Sequence, residues 1–125
     1  AWFVQMRDEH KIDAFKVGYD RALAGYWVEE MKSNGFTMEP VAQGAFTWSQ
    51  PMREMGAALT DKIVNYNNNP ILLWCLSNTA VKKSGLNNIQ PVKITDKRRI
   101  DGAVSLLNAW VIYVKYFDDY MYNVG

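Results

Sequence analysis

The sequence has few of the residues and motifs that mark several common classes of protein. It contains one cysteine, Cys75, which excludes an internal disulfide. Cys75 lies in the apolar run 71–76, so we expect a buried, reduced and unreactive thiol of the kind found in intracellular proteins. The sequence has no Walker A, GxGxxG or CxxC motif and no internal repeat. It therefore gives no support for an ATP-binding loop, a dinucleotide site or a zinc site.

Long apolar segments are also missing. The longest, residues 103–114, is interrupted by Ser105 and Asn108, and it is shorter than the roughly 18 residues of a membrane span. We therefore expect no membrane association. The start of the chain lacks the basic and apolar regions of a signal peptide. Because the first residue is Ala1 rather than Met, inside a helical pattern, we expect the chain to be part of a longer protein.

The overall composition is that of a globular protein, with 49% hydrophobic and 22% charged residues among 125. This length suits one domain or a piece of one. The net charge is only +1, but the basic residues are unevenly distributed. Between residues 82 and 99 there are six of them and a single acid, Asp96; the six are Lys82, Lys83, Lys93, Lys97, Arg98 and Arg99. Such a cluster suits DNA phosphates, and a solvated hairpin with a basic helix start explains it equally well.

The pattern of apolar residues predicts an α/β fold. Helical periodicity at 1–11 is followed by a short β-prone segment at 15–19. A second helix at 21–33 ends at Asn34-Gly35, and a second strand follows at 37–43. This order predicts two parallel strands joined by a helical crossover.

The second half of the chain is predicted to contain two more helices, a hairpin and a long final helix. Asn69 and Pro70 have the residue types of a helix cap and first turn. The predicted elements are a helix at 51–60 capped by Ser49, a short strand at 62–66, a turn at 67–69, a helix at 70–78, a hairpin of strands 79–83 and 89–93, and a helix from 95 or 96 to about 122. The last helix is apolar on most sides, so we expect it to be buried.

Two of the thirteen acidic residues have unusual sequence surroundings. Asp20 follows the first predicted strand, and open α/β sheets bind ligands at the carboxyl ends of their strands. Asp101 begins an apolar helix, where an isolated charge is costly unless it is paired or bound to metal. The pattern alone favours structural roles, since Asp20 could cap the next helix and Asp101 could pair with Arg98 or Arg99. Ser105 and Asn108 share the helix face of Asp101.

Five blocks of sequence, in order along the chain, resemble the nuclease domain of the large terminase subunit of tailed phages. They are VGYDR at 17–21, QG at 43–44 with SQPMRE at 49–54, NNPILLWCLSN at 68–78, NIQP at 88–91 and RIDGA at 99–103. The resemblance extends from about residue 15 to residue 114 and implies a partial RNase H-like fold with parallel strands, an added hairpin and a long C-terminal helix.

The resemblance also implies a site and a chemistry. In that family three carboxylates hold two Mg²⁺ or Mn²⁺ ions, and the matching positions here are Asp20 and Asp101, as metal ligands and catalytic residues. Ser105 and Asn108 are expected to support them, and the six basic residues named above to bind the DNA backbone. We expect the third carboxylate, on a first strand, and the ATPase domain to lie upstream, so that residues 1–125 form the C-terminal portion of one nuclease domain and cleave poorly alone.

The implied role is cutting of concatemeric viral double-stranded DNA during genome packaging, in the cytoplasm of the bacterial host. The implied partners are DNA, the portal and the small terminase subunit. An unpaired sheet edge beside the first strand would also favour self-association. Two alternatives are another RNase H-like nuclease of the resolvase or transposase type and a non-catalytic module that binds portal, capsid or DNA. An upstream Walker A motif would distinguish a terminase from the first of these.

Overall fold

The computed structural model describes residues 2–23, 25–84, 88–95 and 99–123. These residues form six α-helices, one 3₁₀ turn and four β-strands. The chain divides into two compact units, one made of residues 1–42 and 112–125 and the other of residues 43–111. None of the helices in the described part of the chain has the length and apolar character needed to cross a membrane.

The first unit contains a strand–helix–strand crossover. Helix α1 (Trp2–His10) precedes strand β1 (Val17–Tyr19), a 3₁₀ turn (Arg21–Leu23), helix α2 (Gly25–Ser33) and strand β2 (Met38–Pro40). Strands β1 and β2 are parallel, with Val17 opposite Met38 and Tyr19 opposite Pro40. The parallel pairing predicted from the sequence is therefore confirmed. Helix α2 begins later than predicted, because the residues after Asp20 form the 3₁₀ turn instead.

Helix α2 ends where the Asn34-Gly35 pair predicted it would. Gly35 has a φ of 90°, a conformation that side chains disfavour, and the Phe36 N–H donates back to the carbonyl of Met31 (3.2 Å). This reversal carries the chain into β2. The apolar sides of the crossover form the core of the unit, whose buried members are Val17, Val28, Met31, Phe36 and Met38.

The second unit opens with helix α3 (Ala45–Thr60), which begins six residues before the predicted start at Pro51. Proline lacks an N–H and normally marks a first turn, yet here it lies inside the helix. The preceding turns are held by tertiary contacts, because Trp48 is buried and Ser49 bonds to the hairpin described below. Ser49 is therefore not the helix cap, and that prediction was wrong; the cap position is Gly44, with a φ of 126°.

The strand predicted at 62–66 is also absent from this described segment, which turns instead. Lys62 takes a left-handed φ of 58°, and the Ile63 N–H donates to the Ala58 carbonyl (2.9 Å), so the chain reverses at the end of α3. The Asn65 carboxamide oxygen then accepts from the Asn67 N–H (2.8 Å). These local turn contacts replace the extended conformation that the apolar residues predicted.

Helix α4 (Pro70–Ser77) and the hairpin follow as predicted. The Asn69 side chain accepts from the N–H groups of Ile71 and Leu72 (3.0 and 3.1 Å), and Pro70 occupies the first turn. Strands β3 (Thr79–Ser84) and β4 (Asn88–Lys93) pair antiparallel, with Thr79 opposite Lys93. Cys75, on α4, is buried, in agreement with the prediction.

The predicted final helix is shorter at its start and is divided near its end. Helix α5 (Asp101–Lys115) begins five or six residues later than expected, and helix α6 (Phe117–Asn123) follows after Tyr116. Ala103, Leu107 and Ile112 are buried, whereas Asp101, Ser105 and Ala109 are exposed. The late start has a tertiary cause, since the Ile94 N–H donates to the carbonyl of Asn78 (2.9 Å) and so continues the extended chain beyond β4.

The architecture is mixed α/β, with a small parallel sheet, an antiparallel hairpin and six helices among the described residues. The fold class predicted from the sequence is confirmed, and it is compatible with a partial nuclease fold.

Candidate active site

Asp20 lies directly after β1, at the carboxyl end of a parallel strand. Its Oδ1 accepts a hydrogen bond from the Ala22 N–H (3.0 Å), which closes the 3₁₀ turn at 21–23. The side chain is half-buried. A carboxylate has about four acceptor positions on its two oxygens, so this one bond orients Asp20 and leaves acceptor capacity for a cation.

The strand end that carries Asp20 is held in place by β2. The Val41 N–H, just beyond β2, donates to the Tyr19 carbonyl (2.8 Å), and Val41 is itself buried. Lys16 precedes the strand, and its Nζ lies 4.4 Å from the ring centroid of Tyr116. Contacts on both sides of β1 therefore hold this strand in place, and they restrict the position of Asp20 at its end.

Asp101 is the first residue of α5 and is exposed. Among the residues that the structure describes, no lysine or arginine forms an ion pair with it. Pairing with Arg99, one of the structural alternatives, is therefore not found, and Arg98 lies outside the described residues. A negative charge in the first turn of a helix is favourable, by about 0.3–1 kcal/mol at exposed sites. This accounts for an exposed carboxylate at this position without a paired cation.

The residues immediately around Asp101 pack the first turn of α5 against α4. Ile100 and Ala103 are buried on either side of it. At Gly102 an added Cβ would lie 3.0 Å from the Cys75 Sγ and 3.3 Å from Leu72 Cδ1. Such distances are shorter than most contacts of a real Cβ, so a side chain at position 102 would press on Cys75 and Leu72 where α5 approaches α4. Asp101, next to Gly102 in the same turn, remains exposed to solvent.

Ser105 and Asn108 occupy the same face of α5 as Asp101, since they follow it by four and seven residues. Ser105 is exposed and Asn108 is half-buried. The Asn108 carboxamide oxygen accepts a hydrogen bond of 3.4 Å from Nε2 of Gln43. Gln43 was not predicted to be a site residue, because it is not titratable, although it stands in one of the recognised sequence blocks.

The basic residues of the hairpin are exposed but do not share one surface. In the antiparallel register Lys83 pairs with Ile89 and Lys93 with Thr79, whereas Lys82 pairs with Gln90. Because side chains alternate along a strand, Lys83 and Lys93 lie on one face and Lys82 on the other. Arg99 is exposed ahead of α5. Lys97 and Arg98 lie outside the described residues.

Asp20 belongs to the first unit and Asp101 to the second. Both are carboxylates, the hard oxygen ligands that Mg²⁺ and Mn²⁺ prefer, so their chemistry fits the implied metals. Within residues 2–23, 25–84, 88–95 and 99–123, no three His, Cys, Asp or Glu side chains form a cluster that could hold an ion. Each unit thus contributes one of the two carboxylates predicted from the sequence, and the described residues contain no complete set of metal ligands.

Two further polar residues of the second unit were not identified as important from the sequence. The Ser49 hydroxyl accepts from the Ile89 N–H (2.8 Å) and lies 3.1 Å from the Ile89 carbonyl oxygen, which joins α3 to β4. Asn78 is only 2% exposed, and its Nδ2 donates to the Arg99 carbonyl (3.0 Å). Both residues belong to the recognised sequence blocks, in which Ser49 begins the block at 49–54 and Asn78 ends the block at 68–78. This was the only feature of the sequence that could have indicated them.

The mixed α/β fold, with a small parallel sheet and an antiparallel hairpin, is compatible with a partial nuclease fold. Comparison with known proteins identifies the family. The profile described as "Terminase large subunit, endonuclease domain" matches residues 3–115, and the chain belongs to this family.

A curated relative supports the assignment over a shorter segment. The chain is similar to Protein YmfN of Escherichia coli (strain K12), with 35% identity over 71 residues, which cover 55% of this chain and 16% of that protein. The chain thus corresponds to a small part of the length of this relative. No solved structure gives a significant match.

Proposed function

We propose that this chain forms part of a metal-dependent endonuclease that cuts double-stranded viral DNA during genome packaging. The observation that carries the proposal is the match to the terminase endonuclease domain over residues 3–115, a range that contains both Asp20 and Asp101. In this proposal residues 1–125 are the C-terminal portion of a single nuclease domain. The DNA substrate is concatemeric, the portal and small terminase subunit are partners, and the reaction takes place in the host cytoplasm.

The proposed metal ligands are Asp20 and Asp101. Divalent ions held there would stabilise the attacking water and the departing 3′ oxygen of a phosphodiester. The protein's contribution is to hold two carboxylates on rigid elements. Asp20 is oriented by the Ala22 N–H at a strand end, and Asp101 by the packed first turn of α5. Ser105 and Asn108, on the face of Asp101, are proposed to orient the ligand shell.

The proposed DNA contacts are the basic residues between 82 and 99. Lys82, Lys83, Lys93 and Arg99 are exposed, as contact with phosphates requires, and Lys97 and Arg98 complete the set named from the sequence. Lysine and arginine interacting with phosphates give affinity without sequence preference. We therefore expect the cut to depend little on sequence.

The test is Mn²⁺-dependent cleavage of supercoiled plasmid by a complete domain, made by extending the chain at its amino end with the upstream segment of its reading frame. Asp20→Asn and Asp101→Asn should each abolish detectable cleavage, because an amide is a poorer ligand for a hard cation. Asp61→Asn is the matched control, since Asp61 is an exposed carboxylate at the end of α3. It should cleave like the parent.

A second candidate is a non-catalytic module that binds DNA or the portal. It is favoured by one observation, the hydrogen bond from the Ala22 N–H to Asp20, which gives that carboxylate a structural role. In this case the complete domain would show no Mn²⁺-dependent cleavage, and Asp20→Asn would preserve the turn after β1, because a carboxamide oxygen also accepts from an N–H. Undiminished cleavage in both the Asp20→Asn and Asp101→Asn variants would reject our metal-ligand assignment.

A further inference from the structure

Asn78 is the most deeply buried polar residue among those the structure describes, with 2% of its surface exposed. It stands at the carboxyl end of α4, where its own N–H donates to the carbonyls of Trp74 (3.1 Å) and Cys75 (3.2 Å). Burying a polar side chain lowers stability unless the side chain is hydrogen-bonded. The hydrogen-bond partners of Asn78 therefore indicate which segments it connects.

The partners of Asn78 lie in two other segments of the second unit. Its backbone carbonyl accepts from the Ile94 N–H (2.9 Å), just beyond β4. Its side-chain Nδ2 donates to the carbonyl of Arg99 (3.0 Å), two residues before Asp101. A single residue therefore joins the end of α4, the end of the hairpin and the approach to α5.

The next turn of α5 is held against the same helix by close packing. Gly102 faces Cys75 and Leu72 so closely that an added Cβ would lie 3.0 Å from the Cys75 Sγ and 3.3 Å from Leu72 Cδ1. Ile100 and Ala103 are buried next to it. Successive side chains on a helix are about 100° apart, so the direction of the Asp101 carboxylate depends on the rotation and height of this turn. The Asn78 bond to Arg99 and the contact at Gly102 restrain both.

We propose that Asn78 is a positioning residue for Asp101, acting through its hydrogen bond to the Arg99 carbonyl. The inference rests on the proposed function, because it assigns Asn78 a role in presenting a metal ligand. It adds to that function a residue that touches neither metal nor DNA. Thr79 provides a contrast one position away, since its hydroxyl donates to the Cys75 carbonyl (2.8 Å) and so supports α4 without reaching Arg99.

The test uses NMR of the isotope-labelled 125-residue chain with Mn²⁺ as the probe. Bound Mn²⁺ should broaden the amide signals next to Asp101. Asn78→Ala and Asn78→Leu should each require about tenfold more Mn²⁺ for half-maximal broadening, the loss typical when a support of a metal ligand is removed. Leucine fills the space that alanine leaves empty, so agreement between the two assigns the loss to the missing donor.

Thr79→Val is the matched control, because it removes a hydrogen bond at the same end of α4. It should keep the Mn²⁺ dependence of the parent chain, and thermal unfolding of all variants identifies any effect that comes from stability alone. If Asn78→Leu titrates like the parent, or if Thr79→Val loses as much, the positioning role is wrong.

Failure of the proposed metal site gives a different result. Asp101→Asn should remove the broadening, and if it does not, Asp101 is not a ligand. The ¹³C resonance of the Asp101 carboxyl, recorded without metal, tests the positioning role independently. It should shift in both Asn78 variants and stay unchanged in Thr79→Val; an unchanged resonance in the Asn78 variants would overturn the proposal whatever Mn²⁺ does.

Discussion

At the scale of single residues, Asn69 shows how one side chain defines an element. Its carboxamide oxygen accepts from the N–H groups of Ile71 and Leu72, two donors that the first turn of α4 cannot satisfy within the helix. Pro70, which follows, has no N–H and needs no such partner. The Asn-Pro pair therefore specifies where α4 begins.

Replacing Asn69 should destabilise the protein through this cap. Asn69→Ala is expected to lower the free energy of unfolding by about 1 kcal/mol, because two N–H groups lose their acceptor. Urea denaturation of the chain measures it. Asn69→Asp keeps an acceptor oxygen in the same place and should lose little. An equal loss in both variants would show that the cap is not the cause.

Gly102 is the second residue whose identity the packing requires. Gly102→Ala should lower the free energy of unfolding by about 1–3 kcal/mol, since the new methyl group meets Cys75 and Leu72. In a Cys75→Ala background the loss should be smaller, because the Sγ at 3.0 Å is gone. Denaturant unfolding of the four proteins in this cycle gives the coupling.

Gly56 supplies the control for that prediction. It lies inside α3, and an added Cβ there would meet nothing within 4 Å. Gly56→Ala should therefore stabilise the protein by about 0.5–1 kcal/mol, the ordinary gain of alanine over glycine in a helix. If Gly56→Ala and Gly102→Ala both destabilise the protein, or both stabilise it, the close approach of α5 and α4 does not determine the effect at position 102.

At the scale of elements, the hairpin divides its lysines between two faces. Lys83 and Lys93 share one face, and Lys82 lies on the other. A rigid duplex resting on one face of the hairpin cannot use all three equally. The three hairpin lysines of the basic cluster are therefore divided between two faces, and under the proposed function we expect one face to dominate DNA binding.

This division can be measured from the salt dependence of DNA affinity. Each phosphate contact contributes a slope of about 0.9 in log affinity against log salt. Removing Lys83 and Lys93 together should lower the slope by about two if their face binds, and Lys82→Ala should then have no effect. The reverse pattern would assign binding to the Lys82 face. Equal losses per lysine on both faces would contradict the prediction.

At the scale of the whole molecule, the parallel sheet has an edge available for pairing. In the described residues this sheet contains β1 and β2 only. The Val17 N–H donates to the Thr37 carbonyl, and the Tyr19 carbonyl accepts from the Val41 N–H, so both residues bond on the β2 side. Gly18 lies between them, and its N–H and carbonyl therefore point to the opposite edge of the sheet. An edge of this kind attracts another strand.

We therefore expect the chain to self-associate reversibly through β1. Sedimentation velocity should show the average mass rising with concentration. Gly18→Pro should shift the chain toward monomer, because it removes an edge N–H that β2 does not use. A single monomeric species in the parent chain at high concentration would refute the prediction, and an unchanged Gly18→Pro variant would place the contact elsewhere.

The amino-acid sequence alone was sufficient to predict the features that depend on neighbouring residues. Asn34-Gly35 ended α2, Asn69-Pro70 began α4, and the two short β-prone runs at 79–83 and 89–93 formed the hairpin. The order of the first elements was sufficient to predict the parallel crossover. The blocks around Asp20 and Asp101 also identified the family, since each motif is a short contiguous stretch of residues.

Contacts between segments distant in the chain override local preference at two helices, and these contacts are visible only in the folded protein. Helix α3 continues through Pro51 because Trp48 and Ser49 are held by residues elsewhere in the fold. Helix α5 starts at Asp101, not at 95 or 96, because Asn78 bonds to both Ile94 and Arg99. A local pattern contains no record of a partner that lies far along the chain, and such partners set the ends of these two helices.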